Sequence, residues 1–143
     1  GVLSPVELES RYEVYAEQYV LSIAVEAKLV VDMAKTIIYP AASSYLGALS
    51  ESLTTAKGLG ITVDTALVQT IASEMDAMMK AVAQLSEKLT VEDFDSTESH
   101  LNFCAKEIRS LMEQVRGHAD TLETGVADKY WPLPKYSEML FLK

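Results

Sequence analysis

Few residues of this 143-residue chain could carry out chemistry, and they are scattered. His100 and Cys104 stand four apart, which places them on one helix face as a metal pair would be. No second pair accompanies them, and there is no Glu-x-x-His of the di-iron bundle type, so a core cysteine beside a half-exposed histidine is the plainer reading. His118 falls on an apolar helical seam, where a satisfied boundary histidine is expected, and neither histidine has the partners that nucleophilic catalysis needs. The stretch GLG at Gly58 to Gly60 lacks the further glycine, the Lys-Ser/Thr pair and the preceding strand of a phosphate-cradling loop, so it reads as a helix stop. Glu92, Asp93 and Asp95 lack the alternating oxygen ligands of a calcium loop and read as a solvated cap. No catalytic, cofactor-binding or metal residue is therefore expected here.

Composition narrows the function classes further. Lys and Arg number 12 against 21 Asp and Glu, a formal charge of −9 that repels phosphate backbones and anionic lipid surfaces. Nucleic acid and membrane are not expected as partners. The longest uncharged run, Thr36 to Ser50, contains Pro40 and falls short of a membrane span, and the opening GVLSPVELES has no basic region ahead of an apolar stretch, as a signal peptide would. A lone cysteine inside an apolar helical pattern fits a reducing, cytoplasmic setting.

Only six Gly and four Pro punctuate the chain, so long helices are expected. Ser4, Pro5 and Glu7 have the arrangement of a capped helix start. Leu8, Tyr12, Tyr15, Tyr19, Ile23, Ala27, Val30, Ala34 and Ile37 then recur at about 3.6 residues, which predicts one rod from Pro5 to Tyr39, ended or kinked at Pro40. A weaker helix follows, stopped by left-handed Gly58 and Gly60. A second helix is predicted from about Asp64 to Leu89 on Leu67, Ile71, Met75, Met78, Val82, Leu85 and Leu89, with the methionines as gap-filling core. A third, capped by Asp95 or Ser96, carries Leu101, Ile108, Val115 and Leu122 at sevens, with Cys104, Leu111 and His118 between, as far as Gly125. These elements predict an all-α fold for residues 1–143 as one domain. It is an elongated antiparallel helical bundle of three to four helices with an extended apolar C-terminal tail.

Two stretches stand out as packing or interface candidates. Tyr12, Tyr15 and Tyr19 form a stripe whose rings suit surfaces apolar on one side and wet on the other, so core and interface roles both remain open for them. The ending YWPLPKYSEMLFLK carries Trp131, Leu133, Tyr136, Leu140 and Phe141 where a terminus is usually polar. Its prolines hold Trp131 and Leu133 extended, and Pro134 can open a final short helix. The tail is expected to dock on the bundle near the first helix, or on a neighbouring domain or subunit.

Leu8 to Ala34, LESRYEVYAEQYVLSIAVEAKLVVDMA, and Tyr130 to Lys143 together resemble the C-terminal helical region of type III glutamine synthetases, the large bacterial form. The first is similar to the family's Ser-Arg-Tyr-Glu helix, and the second to its Trp-Pro-Leu-Pro, Tyr, Met-Leu-Phe terminus. Residues 41–125 match in helical character and length. The resemblance implies a non-catalytic C-terminal domain of a parent that condenses glutamate with ammonia using ATP. ATP and a divalent metal, magnesium, would belong to the parent's upstream catalytic region, with no cofactor in this chain. Its partners would be that catalytic region and the neighbouring subunits of a homo-oligomer. Arg11, Tyr12, Glu13, Trp131, Pro132, Leu133, Pro134, Tyr136, Leu140 and Phe141 carry over as packing and assembly residues. The alternative is a free-standing helical adaptor or sensor-like bundle that binds a protein partner through the first helix and the tail.

Overall fold

The computed structural model describes Val2 and residues 4–139, without the side chains of Tyr136 and Ser137. Among the described residues there is no strand, and the chain is 82% helical. Helix α1 (Pro5–Met33) runs through a π-helical turn (Ala34–Ile38) into α2 (Tyr39–Gly58). Helix α3 (Ala66–Lys88) returns. Helix α4 (Thr97–Phe103), a second π turn (Cys104–Ile108) and α5 (Arg109–Gly125) form the third rod, followed by a 3₁₀ turn (Asp128–Tyr130) and the short α6 (Tyr136–Met139).

The start of α1 is the capping box read from sequence. Ser4 Oγ accepts from the Glu7 backbone N–H at 3.3 Å, while the Glu7 carboxylate accepts from the Ser4 N–H at 2.8 Å. The bond from the Ser4 N–H, and after it one that the Ser4 hydroxyl donates to the same carboxylate at 2.8 Å, hold the Glu7 carboxyl below its ordinary 4.5. Ser96 rather than Asp95 caps α4, accepting from the Ser99 N–H at 3.1 Å.

Pro40 does not end the first helix. The π turn lies immediately before it, and Tyr39 donates five residues back to Ala34 O. The ring of Pro40 then falls at the first turn of α2, where a missing N–H and a fixed φ are tolerated. The rod therefore runs 54 residues from Pro5 to Gly58, roughly 80 Å if straight, rather than stopping at Tyr39. It ends on one left-handed residue, not two: Gly60 has φ 78°, whereas Gly58 is the last residue of α2.

The centre of the bundle is the antiparallel pair α3 and α5. Glu74 meets His118, Lys88 meets Glu107 at 3.3 Å, and Gly125 packs beside Ile71 and Leu67. Ile71, Met75, Met78, Val82 and Leu85 bury one face of α3 against Ile108, Leu111, Val115 and Leu122. Each fully buried aliphatic side chain of this set contributes about 1.5–3 kcal/mol. Ala27, Ala34, Ile38 and Ala42 of the first rod close the groove between them, the small alanines letting the backbone approach. The accessible surface, 9832 Å², exceeds the roughly 7,300 Å² of a compact protein of 15.7 kDa, as an elongated bundle requires.

Candidate functional site

Two regions of the molecule do more than fill the core. The first is the N-terminal part of α1. Every residue from Ser4 to Tyr15 is exposed, so the stripe expected to run as a core face from Leu8 onward is bare for its first turns. Leu8 is 61% exposed, Tyr12 53% and Tyr15 67%. Packing begins at Ala16, which is buried, and at Tyr19, which is half-buried. The reason is geometric: α3 and α4 flank the rod only from there onward, and helical periodicity defines a face without saying how far its neighbours reach. Arg11 and Glu13 lie on the same bare segment, both exposed. An exposed helix end of eleven residues, Pro5 to Tyr15, is marginal by itself, so it is held by its capping box and by continuity with the packed turns beyond. Val14, Leu21, Val25 and Leu29 are also more than half exposed and run along a further side of α1.

The second region is the docked tail. Val126 and Ala127 are extended, and the 3₁₀ turn that follows places Tyr130 5.5 Å from the ring of Tyr45 on α2. Trp131, extended at φ −84° and ψ 116° ahead of Pro132, is buried among the core residues around Ala34 and Ile38, with Leu133 packed beside it. Its Nε1 is buried and meets no acceptor. Lys135 reaches back nine residues: its Nζ donates to Val126 O at 2.9 Å and pairs with Asp128 Oδ1 at 2.6 Å, closing the tail into a loop. The Lys135 backbone N–H in turn donates to the Glu138 carboxylate ahead of α6. Tyr136 lies in α6, its side chain undescribed, and Leu140 and Phe141 lie outside the described residues. A cleft of about 400 Å³ opens between the π turn, α5 and the tail, walled by Ile38, Val115, Trp131, Leu133 and Met139. Arg116, Asp120 and Glu123 also line it.

Of the groups that could do chemistry, His100 and Cys104 share the lining of one cavity with Lys88 and Glu92, and His118 pairs elsewhere. His100 stacks on Phe94 at 4.0 Å, Cys104 is buried one turn on, and burial raises its thiol above the ordinary 9.0. His118 Nδ1 lies 2.7 Å from the Glu74 carboxylate, a half-buried tie between α5 and α3. Among the described residues no three His, Cys, Asp or Glu side chains converge as metal ligands would. No helix of the described residues is long and apolar enough to cross a membrane. Sequence reasoning missed the Lys135 staple and the Tyr45–Tyr130 contact, for which no local pattern exists. It also missed both π turns, whose residues read as ordinary helix.

Comparison with known proteins places this bare rod and docked tail. Residues 1–57 match the family described as the glutamine synthetase C-terminal domain. The chain is 34% identical to a type-3 glutamine synthetase of Dictyostelium discoideum over 153 residues, which takes in 100% of the chain and 21% of that protein. It is 30% identical to a glutamine synthetase of Bacteroides fragilis (strain YCH46) over 151 residues, 99% of the chain and 21% of the relative. A glutamine synthetase of Butyrivibrio fibrisolvens is 25% identical over 146 residues, again 99% and 21%. The chain thus spans about one fifth of the length of the curated relatives it matches, and the similarity is not confined to bacteria. The protein is homologous, over its whole length, to the C-terminal part of type-3 glutamine synthetases.

Proposed function

We propose that this chain is the non-catalytic C-terminal domain of a cytoplasmic glutamate–ammonia ligase, and that it serves the structure and assembly of the enzyme rather than its chemistry. The observation that carries this reading is the mismatch in coverage: similarity takes in the whole chain and only a fifth of each relative. In this reading the remaining four-fifths holds the catalytic region with its ATP and magnesium. Its partners in this reading are the upstream catalytic region and neighbouring subunits of a homo-oligomer, met through the bare end of α1.

The test compares the full-length enzyme with a version truncated before Ser4, measuring assembly size and glutamine formation from glutamate, ammonia and ATP. The expected result is a smaller or less stable assembly with the reaction's chemistry intact. Assembly and turnover that both survive truncation unchanged would remove the assembly role. The competing reading, a free-standing adaptor that uses the same bare helix, fails if the native gene encodes a synthetase region directly upstream.

A further inference from the structure

The bare segment of α1 has a second property besides its apolar stripe. Glu9, Glu13 and Glu17 recur every four residues along one flank of Leu8, Tyr12 and Tyr15, all exposed, and no described cation pairs with them. Like charges at this spacing repel and weaken a helix. The stripe beside them continues the face that packs against the bundle from Ile23 onward, yet leaves two tyrosines and a leucine in water. Neither feature helps the bundle to fold. The segment lies within the 57 residues that match the glutamine synthetase C-terminal domain.

We infer that the face formed by Leu8, Tyr12 and Tyr15, flanked by Glu9, Glu13 and Glu17, is covered by an apolar, lysine- or arginine-edged surface of the polypeptide that precedes it in the same chain. The inference rests on the reading of the protein as a C-terminal domain. Four-fifths of each relative lies outside the matched region, and in a C-terminal piece that length joins at the N-terminal end, a few residues from this face. A short covalent connection presents a partner at an effective concentration in the millimolar range, well above that of a second copy in solution. Tyrosines supply rigid contact area at low entropic cost, and the glutamate ladder selects a basic edge.

The test uses the full-length polypeptide, as a mixture of ¹⁵N-labelled and unlabelled copies, treated with a carbodiimide that joins carboxylates to lysine amines without a spacer. The expected products join Glu9, Glu13 or Glu17 to lysines upstream of Gly1, within copies of a single label. The charge reversal Glu13→Lys with Glu17→Lys should speed hydrogen exchange of the Tyr12 to Tyr19 amides by about tenfold while leaving α3 and α5 unchanged, and Tyr12→Ser should do the same without altering charge. Cross-links found only between differently labelled copies would overturn the inference in favour of a second copy. Absent cross-links with unchanged exchange would overturn it in favour of a bare helix. Failure of the underlying reading is seen separately, as a full-length polypeptide that makes no glutamine.

Discussion

Replacing Trp131 tests the tail most directly. The ring is 8% exposed and packs with Ala34, Ile38 and Leu133, so truncation to alanine should cost about 3–5 kcal/mol by the usual behaviour of buried aromatic rings. One correction lowers that figure. Nε1 has no acceptor, and removing a buried unpaired donor recovers about 1 kcal/mol, leaving a net loss of about 2–4 kcal/mol for Trp131→Ala. The unfolding entropy of a chain this size is roughly 0.3 kcal/mol/K, so the Tm of the 143-residue chain should fall by about 7–13 °C. Trp131→Phe keeps most of the contact and deletes the unpaired N–H, so it should stay within about 1 kcal/mol of the parent. The assay is thermal unfolding followed by far-ultraviolet circular dichroism; the single tryptophan, absent from both variants, reports tail docking by its emission in the parent alone. An alanine variant melting within about 2 °C of the parent would refute the ring's role as an anchor. A phenylalanine variant as unstable as the alanine one would show that the indole N–H is bonded after all.

Three further outcomes are expected. The Glu7 carboxyl is depressed in the folded state, so the cap it makes is fully present above its ordinary 4.5 and is lost as pH falls through the lowered value. Hydrogen exchange in the first turn of α1 should accelerate in acid, and Glu7→Gln should abolish that dependence. The Cys104 thiol is raised above 9.0 by burial, so its contribution to stability is present below that value and declines as pH rises past it, where the unfolded thiol ionises first. Alkylation by iodoacetamide at neutral pH should be slow in the native protein and fast in urea. Finally, nothing lies within 4 Å of where a Cβ at Gly117 would sit in α5, so Gly117→Ala should stabilise by about 0.5–1 kcal/mol, read as a small rise in Tm.

The helices were legible because their apolar residues repeat at 3.6, and the α3 stripe from Ile71 to Leu85 is buried as its spacing requires. Caps were legible for the same local reason, since Ser4 and Glu7 need only each other. The limits of the first rod were not. Pro40 is a helix breaker by its ring and its missing N–H, but a π turn one residue earlier accommodates both, and nothing in Ala34 to Ile38 announces such a turn. Likewise Leu8, Tyr12 and Tyr15 share a face with buried Ala27 and differ from it only in what lies alongside, which is a property of where α3 and α4 stop. The tail's need for a dock could be read from Trp131 and Leu133. Its fastening by Lys135 could not, because a lysine nine residues from its acceptor has no signature.

The π turn at Ala34–Ile38 also sets an angle. A helix turns about 100° per residue, and a π turn takes in one residue more than an α-turn. Because the Tyr39 N–H meets Ala34 O across this turn, removing one of the four residues between them would turn that same bond into an ordinary α-helical one and leave α1 and α2 in nearly their present relation, whereas converting the turn to α-helix at constant length would swing α1 about 100° around its axis relative to α2. The bundle's own packing holds α2 and, from Ala16 onward, α1, and leaves only the first turns of α1 free. Anything carried by the free end of the rod would be swung to a new azimuth around the bundle. The π turn thus absorbs one residue of chain length and fixes the relative orientation of two bodies joined by this helix, so that straightening the turn, rather than deleting its extra residue, would turn one against the other.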